Sequence, residues 1–501
     1  MDRLADWLKG LDYELITGDI DIEVKDVIYD SRKAEKDTVF VCMTGTKTDS
    51  HDFIREVYEK GCRAFVVEKD ADKLLLPKDE NGKTRTDFSL ISVGNARQAL
   101  ALMSAARFGH PTEKLCCIGV TGTKGKTTTS FMIKSILEHC GKKTGLIGTN
   151  GCYIGTEHFE TRNTTPESYE LSEYFHEMVE KGCEYMVMEC SSQGFKMHRT
   201  DGIKFDYGIF LNISPDHIGP LEHADFDEYL SCKMKLFSQC ETGIINADDS
   251  HAGEIAEAYP GLLTYSIRDK ADFYAENIHY TAGSAFMGVE FDVRGRFEDE
   301  VKLSIPGEFN VSNALAAISV CSLLGLPKEE INEALLKIHV DGRMETVYKS
   351  DKFQVIVDYA HNEVSMESLL ETLRSYKPER LVVVFGCGGN RSKDRRTGMG
   401  KAAAEFADYS VFTSDNSRFE RPEDIIADIE EAYLYAGGSK DSYAKIPDRR
   451  EAIEYVMTHA LKGDIIAVIG KGHEDYQEVN GVRTHFLDRE VIREIVEKYY
   501  L

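Results

Sequence analysis

The sequence has few features of a membrane or secreted protein. No apolar run approaches the roughly 18–20 residues of a membrane span, and the opening segment MDRLADWLKG is amphipathic, unlike a signal peptide. The 12 cysteines among the 501 residues form no C-x-x-C pair and stand mostly in apolar runs. We therefore expect reduced core cysteines in a cytoplasmic protein.

The sequence is also short of positive charge. Its 60 lysines and arginines face 86 aspartates and glutamates, so the net charge is −26 at pH 7. Proteins that coat nucleic acid or anionic membranes need a basic surface, so no nucleic-acid partner and no binding to anionic membranes are expected. The lack of long apolar runs predicts no membrane span. An anionic small substrate stays compatible, because a few Lys and Arg side chains can dominate the field inside a cleft.

What the sequence does have is a regular alternation of short apolar runs and helical stretches, which predicts an α/β chain of successive βα units. The runs predict buried parallel strands at 115–120, 185–189, 207–211, 353–358, 381–385, 409–413 and 464–470. Breaks near 108–113 and 339–343 divide the chain into three predicted domains, 1–110, 111–342 and 343–501.

The most specific local pattern begins at Ile118, where a buried strand is followed by a glycine-rich turn and a helix with apolar spacing from Ile133 to Cys140. Backbone N–H groups at such a helix start bind phosphate, the lysine reaches the β- and γ-phosphates, and the next threonine offers a hydroxyl to Mg²⁺. The strict P-loop pattern fails at Val120, but strand, turn and helix fit a nucleotide site. Its candidate residues are Gly122, Thr123, Lys124, Gly125, Lys126, Thr127 and Thr128.

Two further polar segments follow predicted strands. Glu189 closes the strand 185–189, at the end where open α/β sheets bind ligands, and its carboxylate can hold the same Mg²⁺ or cap a helix. Asp216 and His217 follow the next strand, and Lys233 lies on the helix after it. From the residues alone both interpretations of Glu189 stay open, and a histidine after a strand is more often structural.

The loop T-G-T-x-G-K-T, from Thr121, is similar to that of the ATP-dependent Mur ligases, and later motifs follow in that family's order. The resemblance implies an α/β fold of three domains: a smaller N-terminal α/β domain, a central P-loop-type ATPase domain with a mostly parallel sheet, and a C-terminal Rossmann-like domain. It implies ATP and Mg²⁺, with a carbamylated lysine at Lys233. The implied catalytic residues are Lys126, Glu189, His217 and Lys233, and the implied metal ligands are Thr127, Glu189, His217 and Lys233 as its carbamate.

The same resemblance supplies the remaining site residues. The segments IPGEFNVSNALAA, DGRME and DYAHN are similar to the family's adenosine side, and NTTPE is similar to its substrate loop. The ATP-binding set is completed by Asn310, Asn313, Arg343, Asp358 and His361. The implied residues for the UDP-substrate are Ser31, Arg32, Asn163, Thr164, Thr165, Ser192 and Arg199. Those for the amino acid are Arg391, Asp415, Asn416, Arg418, Gly470 and Glu474.

The C-terminal motifs resemble the tripeptide-synthetase branch of the family, which adds the third amino acid, although Asn390, Ser392 and Ser417 replace its usual two aspartates and proline. In the family, Asp-Asn-Pro-Arg goes with meso-diaminopimelate, whose extra carboxylate pairs with the arginine. A buried Arg418 left without that carboxylate would cost about 2–5 kcal/mol. Diaminopimelate is therefore favoured, with lysine or ornithine as alternatives.

The implied reaction joins the γ-carboxylate of UDP-N-acetylmuramoyl-L-alanyl-D-glutamate to a diamino acid through an acyl phosphate. It would be a step of peptidoglycan precursor synthesis, and so of cell-wall biogenesis, cell shape and cell division. A monomer that binds this substrate, ATP and the diamino acid is expected. Two other interpretations stay open: a MurF-like or other paralogous ligase, and a non-catalytic subunit that binds nucleotide.

Overall fold

The structure is a computed structural model, and it describes residues 1–45, 48–216, 218–219, 222–282 and 286–501. The chain folds into two compact units, Met1–Thr264 and Tyr265–Leu501. Within the described ranges, every helix is too short or too polar to cross a lipid bilayer.

The first unit is built from short strands that alternate with helices. Its strands are β1 (Asp2–Arg3), β2 (Tyr13–Thr17), β3 (Glu23–Val24), β4 (Asp26–Ile28), β5 (Thr38–Val41), β6 (Ala64–Val67), β7 (Ser89–Val93), β8 (Cys116–Thr121), β9 (Thr144–Gly148), β10 (Gly151–Ile154), β11 (Glu157–Phe159), β12 (Tyr185–Glu189), β13 (Phe205–Phe210) and β14 (Cys240–Asn246). Its helices are α1 (Leu4–Trp7), α2 (Ile54–Glu59), α3 (Ala96–Arg107), α4 (Lys126–His139), α5 (Ser168–Glu180), α6 (Ser192–Lys196), α7 (Phe226–Ser238) and α8 (Ala252–Ala258). Short 3₁₀ turns cover Ser31–Lys33, Ser50–Phe53, Ala71–Lys73 and Pro111–Lys114.

The N-terminal sheet has the strand order β2-β7-β6-β5-β4, with β2 antiparallel to β7 and the other pairs parallel. Strands β5 and β6 are buried along their whole length, because TVFV and AFVV are apolar enough to be covered on both faces. Alternation directs Val39 and Val41 into one core cluster with α3, and Phe40 into another with α2.

The larger sheet of the first unit has the order β11-β10-β9-β12-β8-β13-β14. Strands β9, β12, β8, β13 and β14 run parallel, so their carboxyl ends meet at one edge. The last residues of β8, β9 and β12 are Thr121, Gly148 and Glu189, and all three are buried. The fold therefore brings the glycine-rich turn after β8 beside Glu189, as the sequence predicts.

The second unit has a three-strand antiparallel ribbon and a larger sheet. Strand β15 (Leu263–Ser266) spans the boundary between the units, and the later strands are β16 (Phe273–Ala282), β17 (Met287–Gly295), β18 (Asp299–Leu303), β19 (Glu345–Lys349), β20 (Phe353–Asp358), β21 (Arg380–Phe385), β22 (Tyr409–Phe412), β23 (Tyr443–Lys445), β24 (Asp464–Ile469), β25 (Tyr476–Val479) and β26 (Val482–His485). The helices are α9 (Glu308–Leu323), α10 (Lys328–Lys337), α11 (Glu363–Ser375), α12 (Asp394–Phe406), α13 (Pro422–Tyr435), α14 (Arg449–Thr458) and α15 (Asp488–Tyr499).

The larger sheet of the second unit has the order β19-β20-β24-β21-β22-β23. All neighbours are parallel except β19, which is antiparallel to β20. The carboxyl ends of β20, β24, β21 and β22 again share one edge, and the segments that follow them carry Tyr359, Gly470, Cys387 and Asp415. The amino-acid candidates after β22 and β24 therefore lie on neighbouring parts of one sheet edge.

The seven predicted parallel strands are confirmed as β8, β12, β13, β20, β21, β22 and β24, with ends within two residues of the predicted ones. The helix predicted after Lys126 is α4, but Cys140 is its C-cap rather than part of it. All 12 cysteines are free, and Cys116, Cys140 and Cys240 are only partly buried. The prediction of core cysteines is therefore wrong for these three, which lie at the ends of strands or helices.

A charged cluster ties the segment before β19 to α15. His339 Nε2 lies 3.1 Å from Asp341 Oδ1 and 3.2 Å from Glu345 Oε1, and Arg489 of α15 pairs with Asp341. Hydrogen bonds to the two carboxylates raise the pKa of His339 to about 9. The imidazole is therefore charged at neutral pH and holds the segment 339–345 by ion pairing.

Replacing His339 with glutamine is expected to lower the melting temperature near neutral pH, but not at about pH 10. The pKa of His339 rises from 6.5 to about 9 on folding, so its stabilising effect is complete below the lower value and disappears as pH rises through the higher one. Thermal unfolding of both proteins across this range measures the effect. His279→Gln, on the exposed side of β16, is the control. An equal difference at both pH values would contradict the prediction.

Candidate active site

The turn between β8 and α4 is shaped for an anion. Gly122 has φ 152° and Gly125 has φ 85°, a region that side chains disfavour. Gly125 is the N-cap of α4 and offers no capping side chain, so the first N–H groups of this 14-residue helix are directed at the turn. Asn212 fixes the turn from outside, since it accepts hydrogen bonds from the backbone N–H groups of Thr123 and Lys124, both at 2.9 Å.

Two lysines converge on one carbonyl of that turn. Lys126 Nζ donates to Gly122 O at 2.8 Å, and Lys233 Nζ donates to the same oxygen at 2.7 Å. Lys233 lies on α7 with 2% of its surface exposed. Burial, and then the charge of Lys126, lower the pKa of Lys233 well below its ordinary value. The positive charge at the turn is therefore that of Lys126, and the surroundings favour the neutral, nucleophilic form of the Lys233 amine.

Glu189 is fully buried at the end of β12 and is held by three donors. Thr127 Oγ1 donates to Oε2 at 3.1 Å, Thr149 N donates to Oε1 at 3.0 Å, and Thr149 Oγ1 donates to Oε2 at 3.1 Å. Helix α6 is capped by the side chain of Ser191, so the interpretation of Glu189 as a helix cap is wrong. The hydroxyl and the carboxylate supply oxygen donors of the kind that Mg²⁺ prefers.

The segment NTTPE lies beside this carboxylate. Thr164 Oγ1 is 3.1 Å from Thr149 Oγ1. The buried Thr165 hydroxyl donates to Glu189 O and accepts from Ser191 N, both at 2.9 Å, so it fixes the backbone at the end of β12. Arg199 donates to Thr165 O at 3.0 Å. The structure therefore brings these predicted substrate residues to the Glu189 edge of the sheet.

The remaining candidates for the UDP-substrate site differ in how far their side chains are exposed to solvent. Asn163 is exposed, and Ser192 is the buried first residue of α6. Ser31 and Arg32 lie in a 3₁₀ turn between two strands of the N-terminal sheet. Hydrogen bonds from the 88% exposed Arg32 side chain lower the pKa of Asp30 to about 2.

Two further candidates belong to the nucleotide and metal sites. Thr128 is buried in the first turn of α4. His217 lies outside the described residues, so its predicted role stays a prediction.

The adenosine-side candidates of the second unit are polar groups at the start of α9, where they are buried, and around the end of β20, where they are partly buried. Asn310 Nδ2 donates to Pro306 O at 2.7 Å, and Asn313 Nδ2 donates to Asn310 Oδ1 at 3.0 Å, so the two amides form a chain at the start of α9. Asp358 ends β20 and accepts from the N–H groups of Met344 and Ala360, both at 2.8 Å.

Arg343 and His361 lie close to Asp358 on either side of Tyr359. Burial raises the pKa of Asp358, and the charge of Arg343 opposes that rise. The Arg343 guanidinium lies 4.7 Å from the Tyr359 ring centroid, and His361 Nδ1 lies 2.8 Å from Tyr359 O. An aromatic ring, a cation and a partly buried carboxylate therefore lie close together at the end of β20.

Four of the predicted amino-acid residues meet at the ends of β22 and β24. Asn416 Nδ2 donates to Glu474 Oε2 at 2.8 Å. Gly470 has φ 111°, and a Cβ there would lie 2.8 Å from Asp415 Oδ2. Burial, and then the charge of Asp415, raise the pKa of Glu474. Two carboxylates in a confined polar space form a suitable site for an ammonium group.

Arg418 joins the same region through its backbone and guanidinium. It has φ 51°, and its Nη1 donates to Gly389 O at 2.7 Å. Gly389 N donates to Asn416 O at 2.9 Å, and a Cβ at Gly389 would lie 1.9 Å from Ser417 O. The glycine-rich segment after β21 therefore packs directly against the segment 415–418 and fixes the direction of the arginine.

The unusual residues of this region have local roles. Asn390 has φ 53°, a conformation that asparagine tolerates, and its Oδ1 accepts from Phe419 N at 3.2 Å. Ser392 donates to Asp394 Oδ2 at 2.8 Å at the start of α12. Ser417 is buried, and nothing in the structure explains why it replaces proline. Arg391 is exposed and is not brought into contact with the other amino-acid candidates by any hydrogen bond in the described region.

Sequence reasoning missed Thr149 and Arg449. Thr149 directly follows β9, and a polar residue at the end of a strand was the available signal. Arg449 and Asp488 are both fully buried and form a two-bond pair at 2.7 Å. Arg449 also donates to Ser414 O at 3.3 Å and Ile469 O at 3.0 Å. These two hydrogen bonds fix the backbone of the segments that carry Asp415 and Gly470.

Three family models match the chain. The Mur ligase family catalytic domain matches residues 23–108, the Mur ligase middle domain matches residues 120–321, and the Mur ligase glutamate ligase domain matches residues 342–472. Together the three matched segments cover most of the chain.

Curated relatives match over the whole length. The chain is 41% identical over 502 residues to the UDP-N-acetylmuramoyl-L-alanyl-D-glutamate--2,6-diaminopimelate ligase of Clostridium perfringens, with 99% of each chain covered. It is 40% identical over 502 residues to the ligase of that name from Clostridium tetani, with 99% of this chain and 100% of the relative covered. A solved structure of a ligase of that name has a TM-score of 0.73 and 28% identity, and the match covers 100% of this chain and 99% of the other.

Gly148→Ala is expected to displace the Glu189 carboxylate and to weaken Mg²⁺-dependent ATP binding by about tenfold or more. The added Cβ would lie 2.1 Å from Glu189 Oε1, so the carboxylate must move away from Thr127. Titration calorimetry with ATP, with and without Mg²⁺, measures the change. The control is Gly253→Ala in α8, where a Cβ has no neighbour within 4 Å. Equal Mg²⁺-ATP affinity for both variants would contradict the prediction.

Proposed function

The chain belongs to the Mur ligase family, and from that premise we propose that it joins 2,6-diaminopimelate to UDP-N-acetylmuramoyl-L-alanyl-D-glutamate. It is an ATP-dependent ligase of the kind that supplies peptidoglycan precursors. The observation that carries the proposal is the full-length identity of about 40% to ligases of that name. The grouping of Asp415, Asn416 and Glu474 beside Arg418 supports it.

The first chemical step is phosphorylation of a carboxylate, because a carboxylate is a poor electrophile for an amine. The turn after β8 binds the triphosphate of ATP through backbone N–H groups, and Lys126 exchanges the Gly122 carbonyl for phosphate oxygens. Thr127 and Glu189 would hold Mg²⁺, which neutralises charge on the transferred phosphoryl group. Thr149 and Thr164, at the same edge, orient the carboxylate-bearing end of the UDP-substrate.

The second step is attack of the amine on the acyl phosphate, which expels phosphate and leaves an amide bond. No covalent link to the protein is required. Cys190 adjoins Glu189, but burial strongly raises the pKa of its thiol, and the side chain has no exposed surface. A protonated, enclosed thiol is a packing group rather than a nucleophile.

Selection of the diamino acid is proposed to rest on charge. Asp415 and Glu474 would receive the ammonium group that stays free, and Arg418 would pair with the distal carboxylate. Lysine and ornithine lack that carboxylate and would leave the half-buried arginine without an anionic partner. Beside Ser417, the Arg418 guanidinium is directed by its hydrogen bond to Gly389 O.

The remaining assignments complete the proposal. The UDP-substrate would be bound by the N-terminal part, 1–110, together with the substrate residues of the central part, 111–342. The central part would also bind the triphosphate, and the C-terminal part, 343–501, would bind the amino acid. The protein is proposed to act as a cytoplasmic monomer. A non-catalytic subunit is disfavoured because Lys126, Thr127 and Glu189 keep a complete arrangement of charges and hydrogen bonds.

We also propose that Lys233 is carbamylated. A carbamate forms from the neutral amine and CO₂, and burial beside Lys126 favours that neutral amine. The product would be anionic beside Lys126 and could offer oxygen atoms to a metal ion. The lysine would then act as a ligand at the same edge as Thr127 and Glu189.

Phosphate release in the presence of ATP, Mg²⁺ and UDP-N-acetylmuramoyl-L-alanyl-D-glutamate is expected with meso-diaminopimelate. We expect at least about tenfold less with L-lysine or L-ornithine, because only diaminopimelate satisfies Arg418. Arg418→Met should lose most of the diaminopimelate activity while the KM for ATP stays unchanged. Turnover with lysine alone would contradict the specificity, and no turnover with any of the three would contradict the ligase itself.

A carbamate carbonyl signal is expected in the carbon NMR spectrum of the protein equilibrated with ¹³C-bicarbonate. It should be absent from Lys233→Arg, whose guanidinium cannot form this adduct. Lys235→Arg, two residues away on the exposed side of α7, should keep the signal. A spectrum with no carbamate signal, or one that Lys233→Arg retains, would contradict the assignment.

A further inference from the structure

Lys471 is a completely buried cation beside the amino-acid candidates, and the mechanism above gives it no role. It follows Gly470 at the end of β24, and none of its surface is exposed. Its ammonium group donates to the backbone carbonyl of Tyr476 and lies 3.6 Å from Glu474 Oε2. A buried ammonium is costly unless an anion compensates it, so the nearby carboxylate is the group that justifies its position.

Glu474 is in turn poorly placed to remain charged without that lysine. Burial and the neighbouring Asp415 both raise its pKa, while Lys471 lowers it. Asn416 Nδ2 donates to Oε2 at 2.8 Å, and the Tyr359 hydroxyl donates to Oε1 at 3.3 Å. These two neutral donors orient the carboxylate but supply no charge.

We propose that Lys471 is a positioning residue that keeps Glu474 ionised and correctly oriented to receive the free ammonium group of the incoming diamino acid. The inference rests on the proposed function, because it assumes that Glu474 meets that ammonium group. Lys471 itself does not touch the amino acid, since it lies behind Glu474 with no exposed surface.

The other charged groups around Glu474 cannot replace Lys471. The anion that faces it is Asp415, which favours protonation. Arg449 is the second nearby cation, but both of its outer nitrogens and its Nε are engaged by Asp488, Ser414 and Ile469. The phenols of Tyr359 and Tyr476 stay neutral, because burial raises the pKa of each. Lys471 is therefore the cation that opposes protonation of this carboxylate.

The loss of Lys471 should accordingly act through Glu474 and depend on pH. In Lys471→Met the side chain keeps its length but not its charge, so Glu474 holds a proton to higher pH. A neutral acid attracts an ammonium group weakly, so we expect the KM for diaminopimelate to rise by roughly 10- to 100-fold near neutral pH. The KM should recover toward that of the unchanged chain as the pH is raised.

The test is a double-mutant cycle of Lys471→Met and Glu474→Gln, with the KM for diaminopimelate, the KM for ATP and kcat measured across the pH range. Glutamine cannot ionise, so adding Lys471→Met to Glu474→Gln should change the KM by less than about twofold. The KM for ATP should be unaffected in every variant. Lys462→Met, an exposed lysine before β24, is the matched control and should behave like the unchanged chain.

Each outcome decides the proposal. Equal losses from Lys471→Met in the two backgrounds, or a loss independent of pH, would overturn it and leave Lys471 a packing residue. If Lys471→Met does not fold, as shown by its melting curve, Lys471→Gln is measured in the same cycle under the same criteria. No diaminopimelate-dependent turnover by the unchanged chain would overturn the proposed function and this inference together, whereas normal turnover with an unaffected Lys471→Met overturns this inference alone.

Discussion

The organisation of the first unit depends on one buried carboxylate at the end of a central strand. Glu189 has no exposed surface, and Thr127 and Thr149 supply the hydrogen bonds that make its burial tolerable. Gly148 leaves the space that the carboxylate occupies. The Thr165 hydroxyl donates to the backbone carbonyl of Glu189, so the helix start after β8, the turn after β9 and the segment with Thr165 are all fixed relative to the same residue.

In the second unit, buried cations rather than hydroxyl groups compensate the carboxylates at the strand ends. Asp415 and Glu474 lie at strand ends with Lys471 and Arg449 behind them. Both cations donate to backbone carbonyls of the segments that carry candidate ligand groups. In both units a carboxylate at the edge of a parallel sheet is held in place by neighbouring side chains.

Sequence patterns predicted the framework well, because buried parallel strands are continuous apolar runs and seven of them are confirmed. They also placed Lys126 and Glu189 correctly at the edge of one sheet, because parallel strands align their carboxyl ends. Thr149 and Arg449 were missed, since their partners Glu189 and Asp488 lie 40 and 39 residues away in the sequence. Lys471 was missed although Glu474 is only three residues away, because only the fold shows that the two side chains are in contact. Asn390, which replaces the family's usual aspartate, is explained by its positive φ angle of 53°, and a φ angle cannot be read from a residue pattern.

The Arg449–Asp488 pair has a consequence for synthesis of the chain. Arg449 donates to the backbone of Ser414 and Ile469, and its ion pair is with Asp488 of helix α15. On the ribosome the strands that carry the amino-acid candidates emerge well before Asp488 does. The subsite can therefore reach its final shape only after Asp488 has emerged, so its strands are expected to wait for α15 before their loops become ordered.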